Sequence, residues 1–143
     1  MGIYKITEKE QIETIVLEFK SDLYDETSID SRLNELAQKY ADLATFIVLQ
    51  GNKSNIGYVA FYCNDNINYQ AFISMIVIKK EEQNKGKGKE LLNEVIKISK
   101  KAGMWSIGLE VVKDNDIAVR FYEKNGFYKV KEKEKKYFMK KWI

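Results

Sequence analysis

QAFISMIVIKKEEQNKGKGKELLNEVIKISKKAG, residues 70–103, holds the arrangement from which the rest of the chain can be read. Its first nine residues are rich in β-branched and apolar side chains, as a central strand would be. A polar loop with glycines at 86 and 88 follows. Then Leu91, Leu92, Val95, Ile96 and Ser99 step by three and four along one helical face, and Ala102-Gly103 closes the helix. A strand that enters a long helix through a glycine-punctuated loop places unpaired N–H groups and partial positive charge at the helix start, where an anion is stabilised. Gly86 and Gly88 let main-chain amides approach a bulky diphosphate, and Lys85, Lys87 and Lys89 add charge. A solvated turn that merely caps a helix is the competing reading. The loop is no P-loop, because Gln83 stands at the first glycine position and Glu90 follows Lys89. Nor is it a dinucleotide fingerprint, because Leu91 replaces the third glycine.

Working outward, Ile3–Ile6 reads as a first strand. Thr7 and Glu10 form a capping-box start for a helix carrying Ile12, Ile15, Val16 and Phe19. A second helix is predicted over about Ile29 to Tyr40. Thr45–Gln50 is a strand, turned at Gly51–Asn55 into Ile56–Cys63. Downstream, Ser106–Val112 is a buried strand. Asn115 or Asp116 caps a short helix, Ile117–Lys124, with Gly126 as its left-handed terminator, and two lysine-rich strands near 127–130 and 137–142 finish the chain. The order β-α-α-β-β-β-α-β-α-β-β predicts a mixed α/β sheet flanked by helices. At 143 residues, 45% of them hydrophobic, the chain fits one domain spanning 1–143.

Composition narrows the chemistry. Histidine is absent, which removes Ser-His and Cys-His nucleophile pairs and the commonest zinc ligand. No metal is expected. Cys63 is the only cysteine and reads as a small buried hydrophobe. No apolar run approaches the roughly 20 residues that cross a bilayer, and charges at Lys5, Glu8, Lys9 and Glu10 stand where a signal peptide would be apolar. The expectation is therefore a cytoplasmic protein with no membrane partner. The net charge of +3 hides a split: residues 1–70 hold 6 basic and 11 acidic groups, whereas residues 124–143 hold 8 and 2. Such a basic half suits a phosphorylated cofactor or nucleic acid. Nucleic acid is the disfavoured partner, because the alternation of KKYFMKKW, residues 135–142, also fits a half-buried edge strand.

Two motifs carry a resemblance to a known family. Q-N-K-G-K-G at 83–88 resembles the Q/R-x-x-G-x-G/A motif of the GNAT superfamily of N-acetyltransferases. LEVVKDNDIAVRFYEKNGF at 109–127 is similar to that family's second signature, L-x-V-x-x-x-N-x-x-A-x-x-F-Y-x-K-x-G-F. The similarity is tight over residues 71–130 and loose over 1–50. It implies a mostly antiparallel sheet of about six to seven strands with about four helices. It also implies acetyl-CoA as cosubstrate and transfer to a primary amine of a small molecule by direct attack. A protein or peptide acceptor, or a module that binds acyl-CoA without catalysis, remains as an alternative. Self-association into a homodimer is left open.

The same resemblance assigns roles. The strand equivalent to Phe72–Ile78 splays at a bulge, so that main-chain groups of Ile76 and Ile78, with Val77 between them, meet the pantetheine arm and the acetyl oxygen. Gln83, Asn84, Lys85, Gly86, Lys87, Gly88 and Lys89 hold the diphosphate. Asn115 contacts pantetheine amides or serves as a helix cap. Tyr122 donates to the leaving thiolate or is purely structural. Glu110, if buried, would have a raised pKa and act as the base; pairing with a lysine is the competing reading, and Asp65, Asp114 and Glu81 stand in reserve. The acidic group Glu18, Asp22, Asp25, Glu26 and Asp30 falls where this family shapes its acceptor site, which implies attraction of a cationic amine.

Overall fold

A computed structural model describes residues 2–25, 29 and 31–143. Within them the elements run β1 (Gly2–Ile6), α1 (Lys9–Glu18), α2 (Leu33–Leu43), β2 (Thr45–Gln50), β3 (Asn55–Tyr62), β4 (Gln70–Ile78), α3 (Lys87–Lys101), β5 (Ser106–Val112), α4 (Asp116–Lys124), β6 (Tyr128–Glu132) and β7 (Lys136–Trp142). This is the predicted order. Single 3₁₀ turns at Lys20–Asp22 and Lys80–Glu82 follow α1 and β4.

The strands form one sheet in the order β1-β2-β3-β4-β5-β7-β6. All pairings are antiparallel except β4 with β5. That parallel pair needs a crossover, and α3 supplies it, as parallel connections require. Two layers cover the sheet. On one face Leu91, Leu92 and Val95 of α3 and Val119 and Tyr122 of α4 pack on Ile47, Leu49, Val59, Phe61, Ile107 and Leu109. On the other, Ile12, Ile15, Val16 and Phe19 of the α1 segment and Ala37 and Tyr40 of α2 meet Phe46, Val48, Tyr58 and Ala60. β2 and β3 feed both cores by alternation, which is why TFIVLQ and NIGYVAFY are nearly continuous apolar runs. Truncating one of these fully buried leucines or isoleucines to alanine costs about 2–5 kcal/mol.

Several local expectations are corrected. Glu8, not Thr7, precedes α1, and no side chain caps it; the β1 strand carries the chain extended through Ile6, so Thr7 lies one residue too early. α2 begins at Leu33 rather than Ile29. Ile29 instead makes a turn with Arg32, whose N–H reaches its carbonyl at 3.1 Å, and buries its side chain against the α1–α2 core. β7 is no edge strand, since it lies between β5 and β6, with Met139 buried. β6 is the edge, exposed along its whole length.

Candidate active site

The site begins with one extra residue in β4. Ala60 faces Met75, but Phe61 faces Ile73, so Ser74 has no opposite number in β3. Such a bulge reverses the side-chain alternation beyond it. Ala71 and Ile73 enter the α3–α4 core, whereas Met75 and Val77 face the α1–α2 core and Ile76 and Ile78 turn to the α3 side. The parallel pairing with β5 stops at the same place, its last partners being Ile73 and Leu109. From there β4 and β5 part into a fork.

Register decides which main-chain groups face that gap. The Lys79 N–H donates to the Ile56 carbonyl at 2.9 Å. Counting back along the antiparallel ladder, Val77 and Met75 also direct their N–H and C=O groups to β3. Ile76 and Ile78 direct theirs toward the departed β5. The Ile78 carbonyl is taken by the Gln83 side-chain amide at 3.0 Å, which leaves the Ile78 N–H and both groups of Ile76 facing the gap. Val77, expected beside them, keeps its main chain on β3 and its side chain in the core.

The loop after β4 ends in a helix start that no side chain caps. Gly86 is the N-cap residue of α3, left-handed at φ 78°, and has no side chain to cap with. The first helical bond is donated by the Glu90 N–H to the Gly86 carbonyl at 3.1 Å, so the N–H groups of Lys87, Gly88 and Lys89 have no intrahelical acceptor. A Cβ at Gly86 would meet nothing within 4 Å, so this helix end is open. Gly88 has another reason to be glycine: a Cβ there would lie 3.0 Å from the Phe121 ring, so its absence lets α3 approach α4. Asn84 is also left-handed, at φ 63°. Lys85 and Lys87 make long contacts to Glu82 and Glu90, at 3.8 and 3.9 Å; surface ion pairs hold little energy, and contacts this long leave both ammonium groups available to an anion. Three free N–H donors, a glycine cap and three lysines fit a diphosphate.

Across the fork, Asn115 caps α4 by accepting the Ala118 N–H on Oδ1 at 3.2 Å, and its Nδ2 remains a donor. Tyr122 is buried in the α3–α4 core, its ring edge-on to Phe121 and Phe127. Burial pushes its phenol well above the usual value near 10, so it stays a proton donor throughout the neutral and mildly alkaline range. Glu110 takes the competing reading, pairing with a lysine: it is exposed, on a face of β5 that no helix among the described residues covers, and its Oε2 lies 3.5 Å from Lys133 Nζ. It sits one residue past the last paired position, at the mouth of the fork. Among the reserves, Asp65 is fixed in the β3–β4 turn by the N–H groups of Asn68 and Ile67, which hold its carboxyl below the usual range; that turn is at the end of β4 away from Ile76 and Ile78.

The acidic group also has other work. Asp22 accepts the Lys80 N–H at 2.9 Å and Glu18 accepts from Asn55 Nδ2 at 3.2 Å, tying the α1 segment to the loop after β4 and to β3. Glu26 and Asp30 lie outside the described residues. One element of the site was missed in the sequence: the Ser74 hydroxyl meets the Tyr40 hydroxyl at 2.8 Å, joining α2 to the bulge. Its signal was the lone polar side chain inside the apolar run AFISMIVI.

A sheet forked beside an uncapped helix start is the architecture of enzymes that take acyl groups from coenzyme A thioesters. Comparison with known proteins agrees. The sequence model described as Acetyltransferase (GNAT) family matches residues 9–127. PaiA N-acetyltransferase from Thermoplasma acidophilum, solved in complex with coenzyme A, is 25% identical over 100% of both chains, with a TM-score of 0.79. An IAA acetyltransferase from Bacillus cereus is 18% identical over 99% of each chain, with a TM-score of 0.77. A GNAT-family acetyltransferase from Streptococcus pneumoniae is 24% identical over 99% of this chain and 98% of its own, with a TM-score of 0.73. No curated protein sequence matches the chain. The chain belongs to the GNAT acetyltransferase family. It is accordingly an N-acetyltransferase that depends on acetyl-CoA.

Proposed function

We propose that residues 1–143 act as a single acyl-CoA N-acyltransferase domain that moves an acetyl group from acetyl-CoA to a primary amine of a small molecule, by direct attack within a ternary complex. The observation that carries this reading is the coincidence, at one end of β4, of an open helix start and a stretch of strand with unpaired main-chain groups. In this reading the N–H groups of Lys87, Gly88 and Lys89 receive the diphosphate, with Lys85 and the side chains of Lys87 and Lys89 adding charge. Gln83, Asn84 and Gly86 shape the loop. Main-chain groups of Ile76 and Ile78 bind the pantetheine arm in place of β5, and Asn115 Nδ2 reaches it from the far side of the fork.

The chemistry then follows from the groups present. A neutral amine attacks the thioester carbonyl, and a fixed N–H donor of β4 stabilises the oxyanion, an effect of about 2.7–4 kcal/mol in comparable sites. Collapse breaks the C–S bond, and Tyr122 donates a hydrogen bond to the departing thiolate. Its raised pKa favours stabilisation over full proton transfer. The amine proton leaves by Glu110 or by water at the fork mouth. The test is a panel of primary amines with acetyl-CoA, read by release of free thiol. Turnover that falls about a hundredfold in Tyr122→Phe supports the assignment. No heat on titrating coenzyme A into the protein would overturn it.

A further inference from the structure

Helices α1 and α2 cover only half of their face of the sheet. Their core draws Ile6, Phe46, Val48, Tyr58, Ala60 and Val77 from β1 to β4, and none of its residues comes from β5, β6 or β7. Beyond the fork no helix among the described residues covers that face, and alternation identifies its floor. Ile107, Leu109 and Val111 of β5 and Met139 of β7 enter the α3–α4 core. Their neighbours Gly108, Glu110, Phe138 and Lys140 therefore point the other way. Gly108 lets the Phe138 ring and the Gln70 amide close over it: a Cβ there would lie 2.9 Å from the ring and 2.7 Å from Gln70 Nε2. Around this aromatic plate stand ammonium groups. Lys131, paired across from Phe138, holds its charge 5.9 Å from that ring's centroid. Lys140 lies 4.0 Å from the centroid of Trp142, and Lys133 lies 3.5 Å from Glu110. Lys136, two residues before Phe138, shares the face. Among the described residues the floor sets four lysines against one carboxylate, Glu110, which already faces a lysine.

We infer that the acceptor is an amine that also carries an anionic group, a carboxylate or a phosphate, seated over Phe138 with its anion between Lys131 and Lys140 and its nitrogen at the fork. This rests on the acetyltransferase reading above and deepens it. A polycation would meet repulsion here, which is strong where solvent screening is incomplete. Of the acidic side chains expected to attract one, Asp22 accepts the Lys80 N–H and Glu18 accepts from Asn55. The lysines also assist the chemistry. Nearby positive charge lowers the pKa of an amine, so the nucleophile reaches the fork in its neutral form without a strong base.

Matched probes test this. Phenylalanine is compared with phenethylamine, O-phosphoethanolamine with ethanolamine, and spermidine serves as the polycation, all with acetyl-CoA and thiol release. At least one anionic member should exceed its neutral partner about tenfold or more in kcat/KM. The excess should shrink as salt rises. The pair that shows it separates carboxylate from phosphate recognition. The double variant K131E/K140E should lose the preference about tenfold through KM, with coenzyme A binding by calorimetry and near-ultraviolet dichroism unchanged. Faster acetylation of the neutral amines or spermidine, turnover of none of the probes, or a preference that survives K131E/K140E overturns the inference. A wild-type protein that fails to bind coenzyme A would instead sink the acetyltransferase reading beneath it.

Discussion

Gly57→Ala adds one methyl group to β3 opposite the part of β4 that lines the fork. A Cβ at this position would stand 2.4 Å from the Val77 carbonyl oxygen, 2.7 Å from Ile78 Cδ1 and 3.3 Å from Ile78 Cα. Carbon and carbonyl oxygen come no closer than about 3.3 Å even in favourable contacts, so the strands must separate by about 1 Å. The displacement has one direction open to it. Past Ile73, β4 has β3 on one side and the gap on the other, so it moves into the fork and takes the Ile76 and Ile78 main-chain groups with it. Overpacking of this size costs about 1–3 kcal/mol, which for a chain of this length lowers Tm by about 4–12 °C. A reacting group misplaced by about 1 Å loses on the order of a hundredfold in rate. Thermal melts followed by circular dichroism and thiol-release kinetics on the folded variant measure the two losses. Adding Ile78→Val removes the Cδ1 contact but not the carbonyl contact, so it should restore little. A Gly57→Ala protein that melts and turns over like wild type would refute the reasoning.

Four further outcomes are expected. Tyr122→Phe should lose turnover with little change in Tm, and the wild-type rate should show no falling limb from this residue below about pH 10, since burial holds its proton. Alkaline unfolding should be cooperative. Burial raises Tyr40 to about 12 and shifts Tyr58 and Tyr122 upward, so above pH 10 the unfolded chain binds fewer protons than the folded one, and stability falls as pH climbs from 10 to 12. Phenolate absorbance that rises gradually without loss of helix signal would contradict this. Asn115→Ala should cost about 1 kcal/mol through loss of the α4 cap, and Asn115→Asp should keep that stability while weakening coenzyme A binding, because it retains the acceptor and loses Nδ2. Asp22→Ala should weaken coenzyme A binding severalfold by freeing the Lys80 turn and leave acceptor KM unchanged; the reverse pattern would restore the acidic-cluster idea.

What could be read in advance was whatever a local pattern encodes. β2, β4 and β5 begin and end where their apolar runs do, and α3 keeps the face set by Leu91, Leu92, Val95 and Ser99. Gly103 and Gly126 end their helices left-handed because only the absence of a Cβ makes that backbone cheap. Strand order was not legible, since β7 slides between β5 and β6 through contacts far apart in sequence. The side that Glu110 takes was left open for the same reason: its strand is apolar on the side that meets α3 and α4, and nothing in SIGLEVV tells that no helix among the described residues covers the opposite side. The two motif glycines were found together, but they serve different needs, conformation at Gly86 and closeness to Phe121 at Gly88. Such a distinction depends on a neighbour more than thirty positions along the chain.

The unmatched Ser74 makes β4 two half-strands of opposite parity. Odd-numbered side chains up to 73 belong to one layer of the protein, and odd-numbered side chains from 75 onward belong to the other. Deleting that one residue would merge the halves into a single regular pleat, in which Met75 follows Ile73 directly and Met75 and Val77 keep their layer, and would bring the strand back toward β5 for its whole length. What a lineage would forfeit with that single codon is the opening between the strands, while both of its cores would stay in register.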